Sequence, residues 1–370
     1  MGLRIAVAAR DLGHHSTGPS NYIYGLIEGL LQVNQKHEIH VYYSATEARG
    51  LFPSAEEHYL PAPNIVLWDH WALPRALQRD GMDITIFPKG TLPIWFPGKA
   101  LAIVLDLGYF YPSLGAYKLV DTLYNRVALR LAAARAWGIF TISEHTRRDV
   151  IRLFHTPEAR TLNIYGACRP DYQPVTDPVV LTRVRQDYKL REPYIFFPAS
   201  SISPRKNVAR LMDAFQSIEA KIPHHLYLTG SRSWKAAGTL ARLENHGRIH
   251  RLGLVPLGDM AALYTLAEFT VYPSLFEGLG IPILEAFQCG SPVLTTQQTS
   301  LPEVAGDAAL LVDGYNVADI ADGLLRLASH PDLRAGYRLK GFEQVKAFRW
   351  EITAQKVLDW IEGHSVVSYQ

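Results

Sequence analysis

Short apolar runs alternate with stretches of helical period along nearly the whole chain. Arg4–Ala9 (RIAVAA) reads as a buried strand, and a loop rich in glycine, serine and histidine separates it from a helix over Asn21–Val33. Glu38–Tyr43 and Asp83–Phe87 read as further strands. Ala100–Leu105 (ALAIVL) is apolar throughout, as expected of a strand covered on both faces of a parallel sheet. A long helix over roughly Ala116–Ala136 leads to a strand at Gly138–Ile142. A helix capped by Ser143 follows, with Thr146 as the alternative cap.

The rhythm loosens after about Asp171, where Pro170, Pro174 and Pro178 lie close together, and 171–193 reads as a linker. A second alternating series starts at Tyr194–Ala199 (YIFFPA), with a helix over Val208–Ala220 and strands over His225–Thr229, Arg248–Leu252, Phe269–Tyr272 and Pro292–Thr295. Strands alternating with helices predict parallel sheets, so the expected fold is α/β, with two Rossmann-like domains over 1–170 and 194–349. The last helix, near 350–366, carries apolar residues at Ile352, Val357, Leu358 and Ile361, and is expected to pack back on the first domain.

Length and composition agree with two globular domains: 370 residues, 48% hydrophobic and 19% charged. A formal charge of +2 gives no reason to expect nucleic acid. Cys168 and Cys289 are the only cysteines and form no CxxC, so a disulfide framework or zinc ribbon is not expected, and a reducing cytoplasm fits. The N-terminus runs directly into a short strand, which predicts no signal peptide, and no stretch approaches 18 uninterrupted apolar residues.

The chemistry concentrates in the second half. In YPSLFEGLGIPILEAFQCGSPVL, Glu277 stands on the turn Gly278-Leu279-Gly280, Pro282 suits the first turn of a helix, and Glu285 falls within that helix. Backbone N–H groups beside a helix N-terminus suit a phosphate. Two ionised carboxylates, which only accept hydrogen bonds, suit sugar hydroxyls and a ribose diol. The competing reading is a pair of solvated glutamates at a helix start. In SISPRKN, Arg205 and Lys206 follow the first strand of the second half, where a fork of donors and a point charge fit a diphosphate.

In the first half, the loop Gly13–Asn21 (GHHSTGPSN) puts Gly18 where a ligand can approach the backbone closely. Neither this loop nor Gly278–Gly280 carries a dinucleotide fingerprint. His14 and His15 read as a surface pair, since adjacent side chains point apart and no further ligand cluster follows.

Taken together, FEGLGIPILEAFQCGSPV, the PRKN box, the TISEHTRRD helix start and SLPEVAGDAALLVD resemble the retaining glycosyltransferases of family 4, which have the GT-B fold. The resemblance implies an enzyme working at a cleft between two Rossmann-like domains, transferring a hexose with retention and without a metal or other cofactor. Glu277 would hold the donor sugar's hydroxyls, Glu285 the ribose diol, and Arg205, Lys206 and the backbone of Gly278, Leu279 and Gly280 the diphosphate. Gly230, Ser231, Leu254 and Val255 would surround the base, with Gly18 near the donor from the other domain. The resemblance favours a mannose-type sugar from a GDP donor, with UDP- or dTDP-sugars as alternatives. The implied acceptor is a saccharide or lipid-linked saccharide, as in O-antigen or other cell-surface polysaccharide synthesis.

One position departs from the family's pattern: the histidine that commonly precedes the aspartate after the central strand is Leu105 here, while Asp106 is kept. Asp106 is therefore read as a catalytic candidate beside Glu277, Arg205 and Lys206. A glycoside hydrolase fits less well, since its two carboxylates flank a bond rather than a turn. A non-catalytic nucleotide-sugar binder stays open. The cations of the Ala116–Arg160 segment, next to Tyr109-Phe110-Tyr111, raise peripheral contact with an anionic membrane, against an ordinary solvated helix with core aromatics.

Overall fold

A computed structural model describes residues 2–10, 12–13, 18–232, 237–244 and 246–365; His14 and His15 lie outside them. Two compact units result. The first gathers Met1–Phe110, Lys118–Ala167 and Arg349–Gln370, and the second Tyr111–Tyr117 and Cys168–Phe348.

Seven parallel strands form the sheet of the first unit: β1 (Arg4–Ala8), β2 (Glu38–Tyr43), β3 (Glu56–Tyr59), β4 (Ile84–Phe87), β5 (Lys99–Val104), β6 (Gly138–Thr141) and β7 (Thr161–Asn163). Their spatial order is β3-β2-β1-β4-β5-β6-β7. The chain thus builds outward on one side of β1 and then on the other. Helix Gly18–Val33 begins three residues before the expected start, and Ser143 caps helix Glu144–Phe154 by accepting from the Thr146 N–H. β3 and β7 were not anticipated: EEHY is too polar and TLN too short to stand out as strands.

The second sheet runs β12-β10-β8-β13-β14-β15. Its strands are β8 (Tyr194–Phe197), β10 (His225–Thr229), β12 (Ile249–Gly253), β13 (Phe269–Tyr272), β14 (Val293–Thr296) and β15 (Ala309–Val312). A two-stranded ladder, β9 (Ser201–Ile202) with β11 (Ser231–Arg232), extends from its edge loops. All registered pairs are parallel, and both cores are dominated by Val, Ile, Leu and Phe.

Residues 171–193 are not a linker but part of the second unit. Pro178 begins helix Pro178–Asp187, Asp177 caps it by accepting from the Val179 N–H, and Asp259 receives bonds from Arg183 (2.5 Å) and Tyr188 (2.7 Å). The proline spacing that suggested loose chain marks a helix N1 position instead.

The last helix, Trp350–Ser365, returns to the first unit and lies along Gly18–Val33. Trp360 meets Trp137 and Phe140 edge-on, and Trp350 meets Tyr22 in the same way. The two helices approach closely because Gly29 faces the Trp350 backbone: a Cβ there would lie 2.5 Å from its carbonyl oxygen. Gly29→Ala is therefore expected to push the helices apart and lower stability by about 1–3 kcal/mol, as overpacking does. Urea denaturation measures this, and wild-type stability would show that the helix is not held by this contact.

Candidate functional site

Parallel sheets leave a crevice beyond their strand ends where neighbouring strands send their connections in opposite directions. In the second sheet that point falls between β8 and β13, paired through Phe269 with Ile195 and Thr270 with Phe196. The connection after β8 carries Arg205 and Lys206, and the one after β13 carries Glu277. Two stretches 72 residues apart are thereby brought side by side.

Lys206 closes a short 3-10 turn, Pro204–Lys206, and Asn207 follows in the left-handed region at φ 63°. Asparagine tolerates that conformation better than most residues. Its amide donates to the Gly314 carbonyl (2.6 Å), which ties the turn to the loop after β15. Lys206 is buried, and its Nζ reaches Glu277 Oε1 at 2.8 Å and the Tyr272 hydroxyl. Arg205 donates to Glu277 Oε2 (2.7 Å) and to the Phe276 carbonyl (2.9 Å), keeping 22% of its side chain exposed.

Glu277 is also buried, and its carboxylate is shared by the two cations. Burial alone would favour the neutral acid, but Arg205 and Lys206 outweigh it and hold the carboxyl down at about 2. Burial pushes the Lys206 ammonium down to about 8, against the pull of Glu277. One carboxylate between two cations leaves a net positive charge, partly open to solvent through Arg205. That arrangement attracts an anion.

The turn that presents Glu277 is fixed from below. Ser300 Oγ donates to the carbonyls of Glu277 (2.9 Å) and Leu279 (3.0 Å), and the Glu277 N–H donates to Thr299 Oγ1 (3.2 Å). Gly280 sits at φ 101°, where an added Cβ would also come within 2.7 Å of Leu301, so no other residue fits there without strain. It leads into helix Ile281–Gln288, with Pro282 in the first turn.

Glu285, on that helix, is partly buried and accepts from Tyr264 (2.7 Å) and Tyr172. Burial raises its carboxyl above the ordinary range, and Lys206 is near enough to oppose the shift. Gly230 and Ser231 follow β10, where Ser231 N–H donates to the Ser200 carbonyl (3.0 Å) and Gly230 N–H to the Gly253 carbonyl (2.7 Å). Leu254 and Val255 come directly after β12 at the same edge of the sheet, with Leu254 exposed. The sequence-derived donor residues of the second unit thus share one edge of one sheet.

Gly18 and Asp106 belong to the first unit. Gly18 opens the first helix with ordinary backbone angles, and an added Cβ would meet nothing within 4 Å, so the fold itself does not require glycine there. Asp106 stands just past the carboxyl end of β5, and its Oδ1 accepts from the Gly108 N–H (2.9 Å), capping the turn that follows. A small cavity of about 30 Å³ opens at the corresponding crevice of the first sheet, between β1 and β4. Arg10, Trp68, His70, Lys89 and Tyr124 are among its lining residues. Among the described residues no group of three or more His, Cys, Asp or Glu could hold a metal ion.

Sequence reasoning missed Tyr272, Tyr264, Tyr172 and Ser300. Each is an ordinary residue in its local stretch and gains its role only from the strand order. The pattern SLPEVAGD did contain Ser300, but nothing in its spacing pointed to the Glu277 turn.

The lysine makes the site's charge pH-dependent. Its folded value of about 8 lies below the unfolded 10.5, so its burial as a cation costs stability below about pH 8, and that cost is relieved as pH rises towards 10.5. The same titration removes the net positive charge. Inorganic pyrophosphate should therefore bind less tightly as pH rises through about 8, by at most about tenfold per pH unit for one linked proton. Lys206→Arg, which stays charged, should flatten the dependence. Calorimetry between pH 6.5 and 9.5 tests this, and parallel curves for both proteins would assign the titration elsewhere.

Residues 192–330, which contain this site, match the family model described as Glycosyl transferases group 1. The chain is 37% identical over 233 residues to the O-antigen chain mannosyltransferase B of Escherichia coli, a match spanning 62% of this chain and 61% of that relative. Among solved structures, sucrose-phosphate synthase from Thermosynechococcus elongatus superposes with a TM-score of 0.76 at 19% identity, covering 99% of this chain and 100% of the other. HepE from Anabaena, solved with UDP and glucose, gives 0.75 at 16% identity over 98% and 100%. The chain has the GT-B fold, and its second unit carries a domain of the glycosyl transferases group 1 family.

Proposed function

We propose that the chain is a retaining glycosyltransferase that moves a hexose, mannose or a related sugar, from a GDP-sugar to a saccharide or lipid-linked saccharide acceptor. The observation that carries this reading is the Arg205–Glu277–Lys206 knot at the switch point of the second sheet, inside the group 1 domain. The 37% identity to an O-antigen mannosyltransferase supports the sugar and the kind of acceptor.

In this reading the bond between the sugar's anomeric carbon and the diphosphate oxygen breaks, and the acceptor oxygen bonds to that carbon on the same face. The acceptor's proton passes to the departing phosphate. Arg205 and Lys206 stabilise the negative charge that develops on the leaving diphosphate, which is worth most in a site already shielded from water. Glu277, released in part from its cations, accepts from sugar hydroxyls. Glu285 accepts from the ribose, and the loops at Gly230–Ser231 and Leu254–Val255 flank the base. Gly18 contacts the donor. The cations do the work of a metal ion, so the reaction as proposed needs none.

HepE was solved with UDP and glucose, which keeps a UDP-sugar as the second donor to be tried. Calorimetry with GDP, UDP and their sugar conjugates separates the donors, and release of sugar from a bound donor distinguishes an enzyme from a binder.

Two sets of variants test the roles. Glu277→Gln should leave free GDP binding as tight as in the wild type or tighter, because it removes the charge competing for Arg205 and Lys206, while transfer falls more than tenfold. Glu285→Gln should weaken GDP and GDP-mannose alike. Equal weakening of free GDP by both substitutions would overturn the division between them.

Asp106 is proposed to accept a hydroxyl of the sugar or acceptor where the family's usual histidine is Leu105. Asp106→Asn isolates this role, since the amide oxygen can still accept from Gly108 N–H and keep the turn capped. Turnover should drop more than tenfold, about 1.4 kcal/mol of transition-state energy, at unchanged melting temperature. Wild-type turnover with every donor would make Asp106 a turn cap and nothing more.

A further inference from the structure

Helix Leu119–Arg135 has two apolar faces. Leu129, Ala132 and Ala133 are buried against the core of the first unit. On the other side, Leu119, Val120, Leu123, Tyr124 and Val127 fall at helical spacing on one stripe, and they are exposed: 83% for Leu119, 79% for Val120, 64% for Leu123 and 59% for Val127. A helix of a water-facing surface normally carries polar residues there.

The stripe continues beyond the helix. Arg135 donates to the Ile94 carbonyl, and the Ile94 N–H donates to His70 Nδ1, which brings the loop Ile94–Trp95 and the segment around Trp71 to the same region. Trp95 is 83% exposed, and Trp71 is exposed with the Arg75 guanidinium over its ring. Three stretches of sequence with exposed aliphatic or aromatic side chains, Ile65–Trp71, Ile94–Trp95 and Leu119–Val127, thus belong to one unit.

Cations border this surface. Lys118, Arg126, Arg130 and Arg135 stand on or beside the helix against one carboxylate, Asp121. Arg130 and Arg135 are exposed, with long stems able to lie along apolar surface while the charged ends reach outward. Several cations nearby are engaged within the unit: Arg126 donates to the Tyr109 carbonyl (2.7 Å), Arg147 pairs with Glu144, Arg152 with Asp149, and Arg160 donates to the Ala133 and Ala136 carbonyls, while Arg148 is exposed on helix Glu144–Phe154. Of the aromatic run at Tyr109–Tyr111, Phe110 packs against the core and Tyr111 against Phe276, and the exposed rings of this face are Trp95, Trp71 and Tyr124 instead.

We propose that this face docks on an anionic lipid surface, with the apolar stripe entering the headgroup boundary and the exposed Lys118, Arg130 and Arg135 facing lipid phosphates. Apolar side chains rimmed by cations are what a helix lying in a membrane interface presents. No described helix is long and apolar enough to cross a membrane, so the contact is lateral. Tyr124 belongs both to the stripe and to the lining of the cavity between β1 and β4, which places that crevice next to the lipid surface. The proposal stands apart from the transferase reading, because lipid binding is scored without turnover.

The test is sedimentation of the whole chain with vesicles of phosphatidylcholine alone or mixed with phosphatidylglycerol, at low and high salt. The wild type should bind the mixed vesicles, at least tenfold more weakly at high salt and on phosphatidylcholine alone. The triple variant Leu119→Gln, Leu123→Gln, Val127→Gln should lose binding at least tenfold while its thermal melt is unchanged, since all three side chains are exposed. Lys118→Gln with Arg130→Gln should remove the preference for phosphatidylglycerol. Absence of wild-type binding at low salt, or undiminished binding by the triple variant, would overturn the proposal. So would a wild-type dimer in sedimentation velocity that the triple variant dissolves without any vesicle binding, which would give the face to a second copy of the chain.

Discussion

The chemistry of the second unit depends on one constraint: a buried carboxylate, Glu277, must be held ionised by two cations that arrive from a different strand end. Burying any of the three alone would cost several kcal/mol, and each is tolerable only because the others are in place. The requirement reaches well beyond the three side chains. β8 and β13 must be neighbours, Asn207 must accept a left-handed conformation, and Gly280 must turn the chain into its helix. Ser300 and Thr299 must hold the Glu277 turn by its backbone.

Such a knot is also a store of unspent interaction. In the unliganded chain Arg205 and Lys206 spend their hydrogen bonds on Glu277, the Phe276 carbonyl and Tyr272. In the proposed reaction an incoming diphosphate would compete for the same donors, and the carboxylate would then become available to hydroxyl groups. On that proposal the two halves of a sugar nucleotide, one anionic and one rich in hydroxyls, would be matched to partners that satisfy each other until the ligand arrives. The gain on binding would then be the difference between the two sets of bonds, which would keep affinity moderate and leave the cations free to respond as charge develops on the leaving oxygen.

How far the sequence discloses this depends on how local each feature is. The strand rhythm at Tyr194–Phe197, Phe269–Tyr272 and Val293–Thr296 is legible because parallel strands buried on both faces are rich in β-branched and aromatic residues. Glu277, Gly280, Pro282 and Glu285 are legible because they share one short stretch whose spacing already describes a turn and a helix start. Arg205 and Lys206 are visible as a pair, but their direct bond to Glu277 is not, since it depends on which strands are adjacent. Tyr264 and Tyr172, which cradle Glu285, come from a helix and from a stretch that looked like linker, and no periodicity joins them. The second unit's true beginning was hidden for the same reason, because prolines mark a helix start as readily as a loose connection.

The first unit shows the opposite limit. Its alternating strands were plain, yet its most unusual property, apolar side chains turned outward, is invisible to a reading based on hydrophobic pattern. Leu119, Val120, Leu123 and Val127 have the spacing of one stripe of an amphipathic helix, and spacing alone does not say which stripe turns inward. The buried stripe is in fact formed by Leu129, Ala132 and Ala133, of which the two alanines are small enough to let the helix sit close to its neighbours. Which of two apolar faces is turned inward is decided by the shape of what lies beneath, and that information is spread over β4, β5 and the segment around Trp68. Exposed leucines on a helix with a satisfied core add little to folding, and the proposed lipid contact is what would give their placement a purpose.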